Sequence, residues 1–183
     1  MRFSPRWTTV IVLAAALGGA STLFAQIEAG DMKISLDGSI QSQKVAGTSS
    51  TSGQVNFTLG YYLSRNVALR ATAWEYLSQG FNLTSLGAGA EYSFAPATNP
   101  ALPFMVPFVA VDASTTLFSV SGGGGAPSSS ILLRPAAGAR WFLSRQSSFD
   151  VSAGYTLGSE TSGGGVFGIQ FGFSYYFLRD SKR

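Results

Sequence analysis

The sequence predicts an all-β fold, an eight-stranded antiparallel up-and-down transmembrane β-barrel behind an N-terminal signal peptide. Three observations carry this. After residue 26 the chain holds eight stretches that alternate large apolar with small or polar residues, and no helical face interrupts them. Gly/Ser-rich connections alternate with tight or Pro-bearing ones. The second, fourth, sixth and eighth stretches all end in aromatics, three of them followed by an Arg within three residues.

Residues 1–25 read as an export signal: Arg2 and Arg6, an apolar run from Val10 to Leu17, then small residues to Ala25. A single membrane anchor is the competing reading, but Gly18, Gly19, Ser21 and Thr22 interrupt the stretch, short of the ~18 apolar residues an anchor needs. Cleavage is expected after Ala25, with Ala20 a second candidate. Residues 26–183 are then one outer-membrane barrel domain, with strands within 31–177 and a short basic periplasmic tail at 178–183. Without Arg2 and Arg6, ten Lys/Arg face nine Asp/Glu, a balance that leaves no footprint for nucleic acid. The chain has no Cys, so neither a disulfide nor a lipid-modified cysteine holds it.

The alternating stretches lie near 31–41, 54–63, 67–79, 82–94, 104–118, 131–143, 147–157 and 166–177. Long polar connections are expected at 44–53, 121–130 and 158–165, and tight or Pro-bearing ones at 64–66, 95–103 and 144–146. Only the turn around Gln79–Asn82 is tight on the long-loop side. In an up-and-down order all even strands finish at one rim. Tyr61, Tyr92, Phe94, Trp141, Tyr175 and Phe177, with Phe149 at the start of the seventh strand, then form an aromatic girdle at headgroup level. A soluble sandwich has no reason to align them.

Parity assigns the faces. In the last stretch Ile169, Phe171, Phe173, Tyr175 and Phe177 face lipid, while Gly168, Gln170, Gly172, Ser174 and Tyr176 face the lumen. The same parity turns Lys33, Asp37, Arg70, Glu91, Asp112, Arg134, Arg140 and Asp150 inward as lumen ion pairs, with Tyr62 and Trp74 beside them. Three hairpins fit when Arg70 stands opposite Glu91, Asp112 opposite Arg134, and Arg140 opposite Asp150. The first setting also aligns Leu69 with Tyr92, Ala71 with Ala90 and Val67 with Phe94. An inward position such as Gly172 is expected to tolerate Ser, whereas Phe171 should not tolerate Arg.

With these residues in place, the chain resembles the small outer-membrane β-barrels of the OmpA/OmpX type over all of 31–177. The closing stretch "FGIQFGFSYYF" is similar to that family's C-terminal assembly signal, with Phe171, Phe173, Tyr175 and Phe177 in the alternate apolar places. The tail "LRDSKR" departs from it, since the family signal ends at the aromatic. The resemblance implies the outer membrane of a Gram-negative-type bacterium as location. It also implies outer-membrane lipid and, during insertion, the barrel assembly machinery as partners.

Catalysis finds little support. With no His and no Cys, Ser-His-Asp triads, Cys nucleophiles and nearly all zinc sites are excluded. Outer-membrane barrel enzymes such as lipid A deacylases, phospholipases and omptin-like proteases depend on His, and the chain does not resemble them. "GGGG" at 122–125 lacks the Lys and following helix of a phosphate cradle and reads as an exposed loop. The sequons at Asn56 and Asn82 fall in or beside strands and read as chance, and Glu75 faces outward at the loop end. Glu91, Asp112 and Asp150 each have an Arg to pair with, so structure rather than acid–base work is expected of them. No catalytic residue, metal or cofactor is expected. The expected protein is a monomer with a structural or surface-interaction role, meeting an extracellular partner through 44–53, 121–130 and 158–165. A narrow channel for small solutes is the alternative.

Overall fold

The computed structural model describes residues 27–45, 48–78, 81–94, 105–121, 131–158 and 166–179. Their alternating side chains favour extended backbone with two unlike faces, and eight strands result. These are β1 (Met32–Val45), β2 (Thr48–Tyr62), β3 (Val67–Ser78), β4 (Phe81–Ser93), β5 (Met105–Ser121), β6 (Ile131–Phe142), β7 (Ser147–Gly158) and β8 (Val166–Phe177). Each pairs antiparallel with the next, and β8 pairs back onto β1, so the sheet closes as an up-and-down barrel. Closure gives the wall's backbone groups partners that hydrocarbon would deny them.

The closure is staggered. Lys33 stands opposite Gly60, Gly60 opposite Arg70, Arg70 opposite Gly89, Gly89 opposite Asp112 and Asp112 opposite Arg134. Carried on through Thr156, the path reaches β8 at Val166, ten residues from Tyr176, which is the direct partner of Lys33. Such a shear tilts the strands of an eight-stranded barrel by roughly 35–45°.

Two expectations need correction. Most of the segment 44–53 is strand, because β1 continues to Val45 and β2 starts at Thr48 directly opposite it. Its Ser and Thr residues carry no large apolar side chain and no Pro. A sequence polar at every second place in both registers can therefore extend the ladder. Arg70 stands opposite Gly89, not Glu91, and Leu69, Ala71 and Val67 stand opposite Ala90, Ala88 and Tyr92. The two-residue slip keeps every face, which is why alternation could not detect it. The expected pairings Asp112–Arg134, Arg140–Asp150, Trp141–Phe149 and Ala139–Val151 are the ones in the ladder. The expected export signal, the connections at 95–103, 122–130 and 159–165, and the last four residues of the tail lie outside the described residues.

The faces are inverted relative to a water-soluble barrel. Among the described residues, twenty-five large apolar side chains are exposed, while the lumen buries Asn56, Thr58, Thr72, Arg134 and Arg140. Moving a large apolar side chain out of water is worth about 1.5–3 kcal/mol, so a surface of this kind is stable against hydrocarbon and not against water. At the even-strand rim, the turns Ser64–Asn66 and Ser144–Gln146 repeat one pattern. Each Ser Oγ accepts the N–H two residues on, at 3.3 and 3.1 Å. The carbonyls of Asn66 and Gln146 each accept an N–H from the end of a neighbouring strand, from Ser93 and Tyr176, both at 2.8 Å.

Candidate functional site: the filled lumen

Apart from Trp74 and Phe108, large inward apolar side chains gather at the end where the even strands finish. There Tyr62, Ala68, Val106, Phe142 and Tyr176 form a buried apolar floor, with Ile27 and Leu178 packed against it. The Phe142 and Tyr176 rings lie 5.4 Å apart, and those of Tyr62 and Tyr176 6.4 Å.

Above the floor is a layer of charge centred on Glu91. Its Oε2 meets Lys33 Nζ at 2.8 Å and Arg70 Nη1 at 3.6 Å, and its Oε1 meets Arg140 Nη2 at 2.9 Å. Arg140 Nε also pairs with Asp150 at 3.2 Å, and Arg70 Nε with Asp112 at 3.4 Å. Asp150 is held further by Ser148 Oγ at 2.7 Å and Ser174 Oγ at 3.0 Å. Arg140 lies over the Phe108 ring at 4.9 Å. Charges taken out of water are tolerable only with partners and hydrogen bonds, and this layer supplies both.

Six of the eight charges expected to pair do so here: Lys33, Arg70, Glu91, Asp112, Arg140 and Asp150. Arg134 and Asp37 make no ion pair within 4 Å among the described residues. Although Arg134 stands opposite Asp112 in the ladder, its guanidinium lies 5.6 Å from the Trp74 ring, and Asp112 takes Arg70 instead. Both contacts leave the neighbouring strand: Arg70 on β3 reaches past β4 to Asp112 on β5, and Arg134 on β6 reaches across the lumen to Trp74 on β3. Lys33, on the strand of Asp37, goes to Glu91. Asp37 and Arg134 both line a small cavity with Gln170 and Ser152, with ≈ 20 Å³ open to water centres, room for about one or two water molecules.

The lumen's glycines hold space for these side chains. A Cβ on Gly172 would collide with the Asp37 carboxylate and stand 2.6 Å from the backbone oxygen of Leu36. Gly172 therefore does not tolerate Ser as parity alone suggested.

On the outside, Tyr61, Tyr92, Phe94, Tyr175 and Phe177 are exposed at one rim, and Trp141 and Phe149 are half-buried against each other at 6.4 Å. Phe171 and Phe173 are exposed on the same outer face of β8, and Glu75 is also exposed. Sequence reasoning missed Asp31, whose carboxylate accepts the N–H groups of both Glu28 and Arg179. Its only advance signal is its place just after Gly30, ahead of the first alternating stretch.

No protein-family model and no curated protein matches the chain. Solved structures do. The chain is similar to Neisserial surface protein A (NspA), at 17% identity and a TM-score of 0.64, over 81% of this chain and 99% of that one. It is similar to the N-terminal β-barrel domain of Pseudomonas aeruginosa OprF, at 19% identity and 0.59, over 81% and 98%. A third is Ail, the attachment invasion locus protein of Yersinia pestis, in complex with the heparin analogue sucrose octasulfate, at 16% identity and 0.52, over 82% and 100%.

Proposed function

The chain has the fold of the small OmpA/OmpX-type outer-membrane β-barrels, and from that premise we propose an integral outer-membrane protein with a structural or surface-interaction role that does not conduct solutes. The carrying observation is the lumen: three cations converge on Glu91 above a closed aromatic floor. Eight strands leave an interior just wide enough for side chains, and the cavity beside Asp37 and Arg134 admits about one or two waters. Anchorage in lipid comes from the outer belt. Contact with an extracellular partner falls to the extended hairpin of β1 and β2 and to 121–130 and 158–165. The protein acts as a monomer, without enzyme activity or cofactor.

Planar-bilayer recording of the refolded protein tests the reading. The expected result is a flat trace with at most rare, brief openings. Steady, large single-channel steps would establish the narrow-channel alternative instead.

A further inference from the structure

The two ends of the barrel's chain meet beneath its periplasmic floor. Gly30 has φ of 96°, a left-handed conformation suited to a residue without Cβ, and it turns the segment before β1 under the rim. A Cβ there would stand 3.1 Å from Arg179 Nη1, so the tail after β8 lies directly against this turn. Gly30 N–H donates to the Tyr62 carbonyl at 2.8 Å, and Tyr62 N–H donates to the Asp31 carbonyl at 2.9 Å. The Asp31 side chain, 1% exposed, then accepts from the segments before β1 and after β8: Glu28 N–H on Oδ2 at 2.8 Å and Arg179 N–H on Oδ1 at 2.7 Å. Ile27 before β1 and Leu178 after β8 pack against the buried floor cluster that contains Tyr62 and Tyr176.

We propose that Ile27–Asp31 and Leu178–Arg179 form a clasp that seals the periplasmic end of the lumen, with the Asp31 carboxylate as its lock. The proposal rests on the filled-lumen reading and adds the device that keeps the floor shut. Terminal segments fray unless tied down, and a carboxylate accepting two backbone N–H bonds ties both at once. The floor rings are held from above by Ser148, whose Oγ lies 3.2 Å from the Tyr176 hydroxyl, and by Arg140, whose Nη1 lies 3.4 Å from the Tyr62 hydroxyl. From below they are held by Ile27 and Leu178. Release of the clasp therefore removes one of the two supports of the floor and leaves the charged layer as the remaining barrier.

Asp31→Ala removes both hydrogen bonds, and Ile27→Ser with Leu178→Ser strips the apolar cover while leaving the carboxylate. Asp31→Asn, which keeps one acceptor oxygen, serves if Asp31→Ala does not fold. Heat-modifiable migration selects folded, full-length barrels for amide hydrogen exchange and bilayer recording. Exchange at the Arg179 amide should quicken at least about tenfold in the Asp31 variant, equivalent to ~1.4 kcal/mol, while Ala139 in the wall stays unchanged. Brief openings should become at least tenfold more frequent in both variants than in the wild type. Unchanged Arg179 exchange, or opening frequencies equal to wild type in both variants, would overturn the clasp. The exchange comparison stands whatever the wild-type barrel conducts, so steady wild-type conduction counts against the filled-lumen reading alone.

Discussion

Glu91 and Arg140 bear most of the lumen's electrostatic demand, because each meets more than one opposite charge at the bottom of a water-poor space. Arg140→Ala strands Asp150 and removes one of three cations from Glu91. Removing one partner of a buried pair costs about 3–5 kcal/mol, and that loss is expected in a denaturant titration. Adding Asp150→Ala should recover part of it but not all, since Glu91 still lacks its Arg140 partner. A double-mutant cycle reads the coupling, and strictly additive losses would contradict the contact. Gly172 makes a second residue-scale prediction. Ser there forces the Asp37 side chain and the Leu36 carbonyl to shift, and overpacking of this kind costs roughly 1–3 kcal/mol. Gly172→Ser should thus lower the unfolding midpoint measurably.

At the scale of the element, β8 shows why alternation in this wall is strict. Its exposed and buried residues alternate without a break from Phe167 to Phe177. An Arg in place of Phe171 would face hydrocarbon near mid-bilayer at a cost of roughly 2–4 kcal/mol, so folding into lipid vesicles should fail or slow sharply. Tolerance of that change would mean that the outer face of β8 does not meet lipid. The twin turns give a smaller effect of the same kind. Asn66 Nδ2 donates to the Ser93 carbonyl at 2.6 Å, tying the β2–β3 turn to the end of β4. Asn66→Ala should cost about 0.5–1.5 kcal/mol without altering insertion, as a midpoint shift with an unchanged denaturant slope would show.

At the scale of the whole molecule, the closed wall, the outer apolar belt and the filled interior depend on one another. Without closure the β1 and β8 edges would lie unpaired in lipid, and without the belt the barrel would not stay there. Heat-modifiable migration of the protein from an outer-membrane fraction is the expected sign of this architecture. Recovery of folded protein from the soluble periplasm would contradict it.

Side-chain alternation determined the strands and the faces of their side chains, and the alternating connections with the aromatic strand ends determined the up-and-down order and the rim that carries the aromatics. Successive Cβ atoms point to opposite faces, so the pattern of Lys33, Arg70, Glu91 or Phe171 in the chain is already a statement of side. Alternation is blind to slips of two residues, and for that reason the partner of Arg70 in the ladder was misread while its face was not. It is equally blind to reach. Glu91 gathers Lys33 from β1 and Arg140 from β6 only because closure with a ten-residue shear brings those strands' inward faces to one level. The meeting of Asp31 with Arg179 likewise belongs to the closed barrel. These contacts join segments that only the tertiary structure brings together, and no local propensity encodes their distance.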